Sequence, residues 1–405
     1  MPKVLQINVT ANWGSTGKIA EQINIRAMER GWDCYIAYGR NSNPSQSKLI
    51  KVGKMINVYE HYFENRFFDN EGLASRIPTK CFIKQIEEIS PDIIHLHNIH
   101  DHWLNYKILF EYLNTTNIPI VWTQHDCWAF TGGCGHYSSS GCDKWQMGCN
   151  TCPRKKILID NSKKNFNLKK SLFTANKNLT LVPVSRWLEN EMRHSFFNSN
   201  KIISILNGVD IDIFHPLKET SVREKYGIGN KFLLIGLATA WSARKGLNDY
   251  IELSKRIPTD YVIMLIGLKK NQISKLPTNI IGIERTSNIQ ELVELYFSAD
   301  TVLNLSYEET FGLTTAEGFA CGTPGIVYNR TASPELIEGE VGYVIEAGNI
   351  EQLLSTIAKI KSNGKVYYSE NCRKRAVEFY DKNKCFDKYV DLYEKLIKSK
   401  SKVEA

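Results

Sequence analysis

Short apolar runs alternate along this chain with longer segments whose apolar positions recur every three or four residues. In the first half the runs Val4–Val9, Tyr35–Tyr38, Asp92–His97, Ile118–Thr123 and Leu179–Val184 predict strands. In the second half Phe232–Gly236, Tyr261–Gly267, Asn279–Gly282, Thr301–Leu305 and Gly325–Tyr328 do the same. Helical spacing shows in Ile19, Ile23 and Ala27, and again in Leu292, Leu295 and Tyr296. Strands that alternate with amphipathic helices in this way predict parallel βαβ units and an α/β fold.

The stretch from Leu206 to Pro216, with Asn207-Gly208, Asp210, Asp212 and Pro216, reads as a turn-rich exit from one domain. The boundary therefore falls there, between residues 1–205 and 206–405. A length of 405 residues suits two domains at about 100 to 200 residues each. Two Rossmann-like lobes facing each other would border a shared cleft with the C-terminal ends of both sheets, where ligands of open α/β sheets bind. The last segment, from about Cys372 to Lys400, reads as a helix with charged faces and is assigned to the second domain.

Composition narrows the class. With 42% hydrophobic and 23% charged residues the chain is globular rather than fibrous or disordered. No apolar run approaches the roughly 18 residues of a membrane span, and the N-terminus turns polar too early for a signal peptide, so the expected location is cytoplasmic. Ten cysteines in a reducing compartment suggest burial or metal ligation rather than disulfides. The formal charge of +8 is modest, but Arg154, Lys155, Lys156, Lys163, Lys164, Lys169 and Lys170 form a basic run. Its plain reading is a solvated face; the sharper one is peripheral contact with anionic lipid at the inner face of the membrane, or with a phosphorylated acceptor.

The densest chemistry lies in Ser306–Gly325, which follows a predicted strand and runs into a helix. If Glu309 sits in the loop, the backbone N–H groups of Thr310, Phe311, Gly312 and Leu313 open the helix and offer a phosphate site. Glu317, eight residues after Glu309, would then accept hydrogen bonds from sugar or ribose hydroxyls. Spacing alone equally allows Glu309 as a helix cap and Glu317 as a surface residue.

The stretch resembles the E-x7-E signature of the family 4 retaining glycosyltransferases, continued by Glu317-Gly318-Phe319-Ala320-Cys321-Gly322-Thr323-Pro324. Three further segments resemble that family's motifs in its order: Asn207-Gly208-Val209-Asp210 with Phe214 and Pro216, Lys245-Gly246, and Ser333-Pro334-Glu335-Leu336-Ile337 with Gly342. The resemblance implies a GT-B fold and a donor site in the second domain. In it Glu317 would hold the nucleotide ribose, Glu309 the donor sugar, and Lys245 the diphosphate leaving group. A fixed cation suits that last role, because charge builds on the diphosphate as the glycosidic bond breaks, and no catalytic metal or cofactor is then needed. One departure stands out: Ala240 occupies the place where the family usually has an Arg, and Arg244 is the candidate substitute. Trp241 is expected either to pack on the nucleotide or to line the domain.

In the first domain Asn12–Lys18 joins the first strand to the first helix, and its glycines, Gly14 and Gly17, resemble the family's Gly-rich loop near donor phosphate and acceptor. A simple strand-to-helix turn is the other reading. His125, after a predicted strand, matches a His that in the family reaches the donor sugar from across the cleft, with Asp126 expected to orient its ring. The cluster His95, His97, His100 and His102 reads as a polar cleft wall for acceptor hydroxyls, with a metal site that includes Asp101 as the other reading. Within the Cys-rich insertion 127–153, Cys134, Cys142, Cys149 and Cys152 are candidate ligands of a structural Zn²⁺, with Cys127 and His136 as alternates; free thiols and disulfides are the other readings. The segment from His125 to Cys134 resembles a bacterial subgroup that builds capsule, exopolysaccharide or O-antigen.

The expected function is thus sugar transfer from a UDP- or GDP-sugar to a lipid-linked glycan within bacterial surface polysaccharide synthesis. The competing readings are a GT-B nucleotide-sugar epimerase and a zinc-containing nucleic-acid-binding protein. The latter would need aromatics interleaved with a basic face, and the sequence offers only the basic run, so nucleic acid is not an expected partner.

Overall fold

A computed structural model describes residues 1–154 and 159–404, with side chains through residue 400. Lys155 and Lys156 of the basic run lie outside the described residues. The chain divides into two units, Met1–Ile205 together with the stretch from Phe386 onward, and Leu206–Cys385.

The first unit is built on a parallel sheet of β1 (Lys3–Ile7), β2 (Asp33–Tyr38), β3 (Lys48–Lys51), β4 (Ile93–Leu96), β5 (Ile120–Gln124), β6 (Leu179–Pro183) and β7 (Lys201–Ile202). Their order is β3-β2-β1-β4-β5-β6-β7. Val4, Leu5, Ile7, Ile94 and Leu96 are fully buried, as apolar strands covered on both faces must be. The helix Gly14–Glu29 lays Ile19, Ile23 and Ala27 on the sheet, which is the spacing read from the sequence.

The second unit repeats the plan with β8 (Phe232–Leu237), β9 (Tyr261–Ile266), β10 (Ile280–Ile283), β11 (Thr301–Asn304), β12 (Gly325–Tyr328) and β13 (Gly342–Ile345). The order is β10-β9-β8-β11-β12-β13. In each sheet the chain builds outward from a central strand and returns to start again beside it, at β1/β4 and at β8/β11. Each junction is a topological switch point, and the crevice outside its carboxyl ends is where such sheets take ligands.

The ten strands expected from apolar runs are all present. The three that were not foreseen, β3, β7 and β13, each lie at a sheet edge. An edge strand is covered less, and Lys48–Lys51 shows it: both lysines and Leu49 are exposed, so no apolar run announces the element.

The C-terminal helix, Lys382–Glu404, corrects the domain assignment. Residues 206–405 do not form one unit, because from Phe386 onward the chain packs on the first sheet. Tyr389 and Tyr393 are buried there. The Tyr393 hydroxyl meets His95 Nδ1 at 2.5 Å, and Thr123 Oγ1 donates to the Tyr389 hydroxyl at 3.1 Å. Arg26 grips Asp387 with two bonds of 2.9 Å. An aromatic face with hydroxyls matched to buried polar groups decides where this helix goes, and charge patterning alone could not show it. Among the described residues no helix is long and apolar enough to cross a membrane.

Tyr393→Ala is expected to lower first-unit stability by about 3–5 kcal/mol, as removal of a buried aromatic does. Tyr393→Phe, which only orphans His95 Nδ1, should lose about 1–3 kcal/mol. Urea unfolding midpoints check both, and equal effects would mean that the hydroxyl carries the whole contact.

Candidate active site

At the β8/β11 switch point two loops are laced together. The loop after β8 ends in a short 3-10 turn, Ala243–Lys245, closed by Gly246 at φ +73°. A Cβ on Gly246 would lie 2.1 Å from the Leu305 carbonyl oxygen, so glycine is what lets this loop lie against the end of β11. The Tyr307 amide donates to the Arg244 carbonyl at 2.9 Å, and Arg244 Nη1 donates to the Glu308 carbonyl at 3.1 Å. Across this seam the Lys245 ammonium and the Glu309 carboxylate form an ion pair, both groups being mostly shielded from solvent. Ser306 Oγ donates to the same Glu309 oxygen at 3.1 Å, and the Glu309 amide donates to Thr331 Oγ1 at 2.8 Å. Glu309 therefore sits in the loop and does not cap the helix.

The helix Leu313–Ala320 opens at Gly312, whose φ of +99° is left-handed, and no side chain caps it. Phe311 is buried edge-on to Tyr380 at 5.6 Å, so it contributes backbone rather than ring to the loop; Thr310 beside it is half-buried. Glu317 lies further along this helix, half-buried, and its Oε2 accepts from the Tyr296 hydroxyl at 2.7 Å. Arg244 is held by the loop carbonyl, whereas Ala240 is exposed. Trp241 lines the domain: its indole N–H donates to the Ile266 carbonyl at 2.8 Å and its ring stands edge-on to Tyr250. An Asp-x-Asp pair does occur, at Asp210 and Asp212, but Asp210 is paired with Lys382 and accepts the amides of Asp212 and Ile213, which makes it a turn and anchor.

In the first unit the helix Gly14–Glu29 starts just beyond β1, with Gly14 at φ +65° and no side-chain cap. Gly17 has a packing reason: a Cβ there would come within 2.7 Å of Thr10 Oγ1.

His125 follows β5, but Asp126 is not its orienting partner. Asp126 Oδ2 meets His100 Nε2 at 2.9 Å, and its other oxygen accepts the Trp128 amide at 2.8 Å. His125 Nε2 instead meets His97 Nδ1 at 3.0 Å, with the rings stacked. Burial, opposed by Asp126, lowers His125 to about 4, so its ring is neutral near pH 7. Burial also works against a charged His100, but Asp126 and Asp101 outweigh it and raise His100 to about 10. Against the same burial, His100 holds Asp126 well below the usual carboxylate range. Nor are His95 and His97 a cleft wall: both are buried, their rings 4.1 Å apart on one face of β4, as strand alternation requires. His102 lies apart from them, against Asn65 Nδ2 at 2.9 Å.

The basic run divides. Lys163, Lys164 and Lys170 are exposed, whereas Lys169 is fully buried. Its ammonium donates to the Trp128 and Thr131 carbonyls at 2.9 and 3.3 Å and sits 3.4 Å from the Trp128 ring centroid, pinning the loop after His125. Burial lowers this lysine to about 7.

Cys134, Cys149 and Cys152 line a pocket of about 280 Å³ with His136, while Cys142 is not among its walls. Cys149 Sγ is turned to accept the Gly132 amide at 3.1 Å, and burial pushes the Cys134 thiol up to about 12. Cys142 and Cys152 both act electrostatically on Cys149, so the four thiols lie near one another, although among the described residues no group of three or more His, Cys, Asp or Glu is arranged to hold a metal ion.

Two family models match successive parts of the chain: Glycosyltransferase Family 4 over residues 22–213 and Glycosyl transferases group 1 over residues 218–379. The chain belongs to the family 4 glycosyltransferases. Its fold, two Rossmann-like domains, is GT-B. A putative colanic acid biosynthesis glycosyl transferase of Escherichia coli is 22% identical over 93% of this chain and 99% of its own length. Among solved structures, a sucrose-phosphate synthase from Thermosynechococcus elongatus superimposes with a TM-score of 0.75 at 15% identity, covering 98% of this chain and 100% of that one. Anabaena HepE in complex with UDP gives 0.67 at 15% identity, again over 98% and 100%.

Sequence motifs found the loop residues but not their supports. Ser306, Thr331 and Tyr296 carry no distinguishing signal, and Gln6 shows only as an amide inside an apolar strand.

His100→Ala would leave Asp126 charged and shielded without its main cationic partner, held only by the Trp128 amide, and is expected to lower stability by about 3 kcal/mol. The lowered pKa of Asp126 makes its contribution present above the ordinary carboxylate pKa and lost as pH falls. The raised pKa of His100 makes its contribution full below about 6.5 and lost as pH rises toward about 10. The difference between wild-type and variant urea midpoints should therefore be largest between about pH 4 and 6.5 and shrink toward pH 10; a difference that grows with pH would refute the charged pair.

Proposed function

We propose that this glycosyltransferase is a retaining, metal-independent enzyme that moves a sugar from a UDP- or GDP-sugar to a glycan acceptor carried on lipid, in bacterial surface polysaccharide synthesis. The observation that carries the reading is the Lys245–Glu309 ion pair at the β8/β11 switch point, which joins two family motifs far apart in the chain. In the resting protein each charge neutralises the other. When a nucleotide sugar enters, Lys245 turns to the diphosphate and Glu309 to the sugar hydroxyls, exchanging one salt bridge for two charge-assisted contacts. As the glycosidic bond breaks, Lys245 stabilises the growing charge on the leaving diphosphate, supported by the uncapped amides of Gly312 and Leu313. The leaving diphosphate then takes the proton of the attacking hydroxyl on the same face of the sugar, which preserves the anomeric configuration without a protein nucleophile. Glu317, fixed by Tyr296, accepts the ribose hydroxyls. In the second unit Arg244 is assigned to the donor phosphates; in the first, Gly14 and Gly17 are assigned to phosphate and His125 to a sugar hydroxyl.

The UDP donor draws support from HepE, solved with UDP, and the pathway from the name of the Escherichia coli relative. No observation favours the epimerase or nucleic-acid readings.

Peripheral membrane contact belongs to the same proposal and rests on a different surface from the basic run. The helix Met55–Phe68 buries only Val58 and His61, while Ile56, Tyr59, Tyr62, Phe63 and Phe67 are exposed. Lys51, Lys54 and Arg66 flank or join that apolar side, the composition of an interfacial helix.

Lys245→Ala and Glu309→Ala are each expected to reduce kcat by about a hundredfold or more with the fold intact. Calorimetry should show UDP or GDP binding weakened in Lys245→Ala, and transfer should persist in EDTA. Full activity in either variant would remove the assignment, and loss of transfer in EDTA would remove metal independence. Phe63→Asp combined with Phe67→Asp should abolish co-sedimentation with vesicles containing phosphatidylglycerol; unchanged sedimentation would exclude this helix as the contact.

A further inference from the structure

Behind His125 lies a chain of buried polar groups whose direction is fixed at every link. Asn24 Nδ2 donates to the Tyr35 carbonyl at 3.3 Å and to Ser47 Oγ at 2.9 Å, so Asn24 Oδ1 is left to accept. Gln6 Nε2 points at two acceptors, the Ala20 carbonyl at 2.8 Å and Asn24 Oδ1 at 2.6 Å. Only the amide nitrogen can satisfy both, which turns Gln6 Oε1 toward His97 Nε2 at 2.5 Å. That oxygen can only accept, so His97 carries its proton on Nε2. Burial lowers His97 well below the usual range, so its ring is neutral and Nδ1 holds a lone pair. The lone pair faces His125 Nε2 at 3.0 Å, and His125 Nε2 must therefore carry a proton.

We infer that Gln6 and His97 are positioning residues that hold His125 in its Nε2–H tautomer, with the lone pair of the ring on Nδ1. The inference rests on the role given to His125 above and adds what sets it. Gln6, Asn24 and His97 are buried with at most 1% exposure, so water does not compete for these bonds and the polarity passes undiluted from two backbone carbonyls to the imidazole. The alternative tautomer of His125 would set two lone pairs against each other at 3.0 Å unless His97 also inverted, and inversion would oppose its Nε2 lone pair to Gln6 Oε1. Orienting the ring by hydrogen bonding its remote nitrogen is the usual way a functional histidine is held, with a neutral histidine standing here where a carboxylate is more common.

The tautomer is read directly by long-range ¹H–¹⁵N correlation of the imidazoles in the full-length protein, with His125 assigned through His125→Gln. The expected wild-type spectrum has His125 protonated at Nε2 and bare at Nδ1; protonation at Nδ1 overturns the inference with no further variant needed. Gln6→Met, close in shape and without polar atoms, should release His97, give His125 a mixed or inverted tautomer, and lower kcat about ten- to a hundredfold while KM for the nucleotide sugar stays within about threefold. Wild-type kcat together with an unchanged His125 spectrum in Gln6→Met overturns the positioning role. His125→Ala separates the two layers: full transfer by that variant removes the function given to His125 itself, whereas its inactivity beside a fully active Gln6→Met removes only the relay.

Discussion

Both units depend on the constraint that parallel strands joined by right-handed crossovers leave the chain ends of a sheet on one side. Where the winding reverses, at β1/β4 and β8/β11, the following segments depart to opposite faces of the sheet and a crevice remains between them. That crevice is floored by backbone ends and walled by loops free to carry polar side chains. Lys245 and Glu309 stand at one such crevice; Asn8, just after β1, and His97, just after β4, lie buried beneath the other, with the Asn98 amide donating to Asn8 Oδ1 at 3.2 Å. The chemistry sits where the fold has no choice but to leave room.

The two crevices manage charge differently. In the second unit a cation and an anion neutralise each other directly, which suits groups that must later separate to receive a charged ligand. In the first unit the charges are set aside: His100 and Asp126 form a permanent pair, and the adjoining histidines stay neutral because desolvation disfavours a second cation among them. A neutral His125 can accept from a hydroxyl, whereas a protonated one could not. The displacement of Asp126 from His125 to His100 thus changes the chemistry of the site as well as its geometry.

What the sequence could reveal follows from the range of each interaction. Strands buried on both faces betray themselves locally, and so did β1, β4, β8 and β11; the exposed edge Lys48–Lys51 did not. Lys245 and Glu309, in loops at one switch point, and Glu317, on the helix that follows, were singled out by motif spacing rather than by any apolar pattern. Asp126 was misread because adjacency in sequence says little about adjacency of side chains: His100 reaches it from another strand end. Gln6, 91 residues from His97, has no local pattern to expose it, only the oddity of an amide between Leu5 and Ile7. The cysteine spacing pointed to a four-thiolate site, but the Gly132 amide that Cys149 accepts carried no sequence signal.

The C-terminal helix completes this argument. It follows the second unit in sequence, yet its tyrosines supply the far side of the histidine cluster: Tyr393 holds His95 Nδ1, Thr123 holds His95 Nε2 at 2.7 Å, and the His95 ring lies against His97. His97 can keep its ring fixed between Gln6 and His125 only if the space beside it is filled by something that does not itself take up a proton. A buried histidine satisfied at both nitrogens meets that condition, since protonating it would break its bond to whichever neighbour acts as donor and place a charge where burial opposes one. The polarity of the cluster is therefore set from one side by Asn24 and Gln6 and kept neutral from the other by residues that arrive some three hundred positions later, as the 298-residue separation of His95 and Tyr393 records.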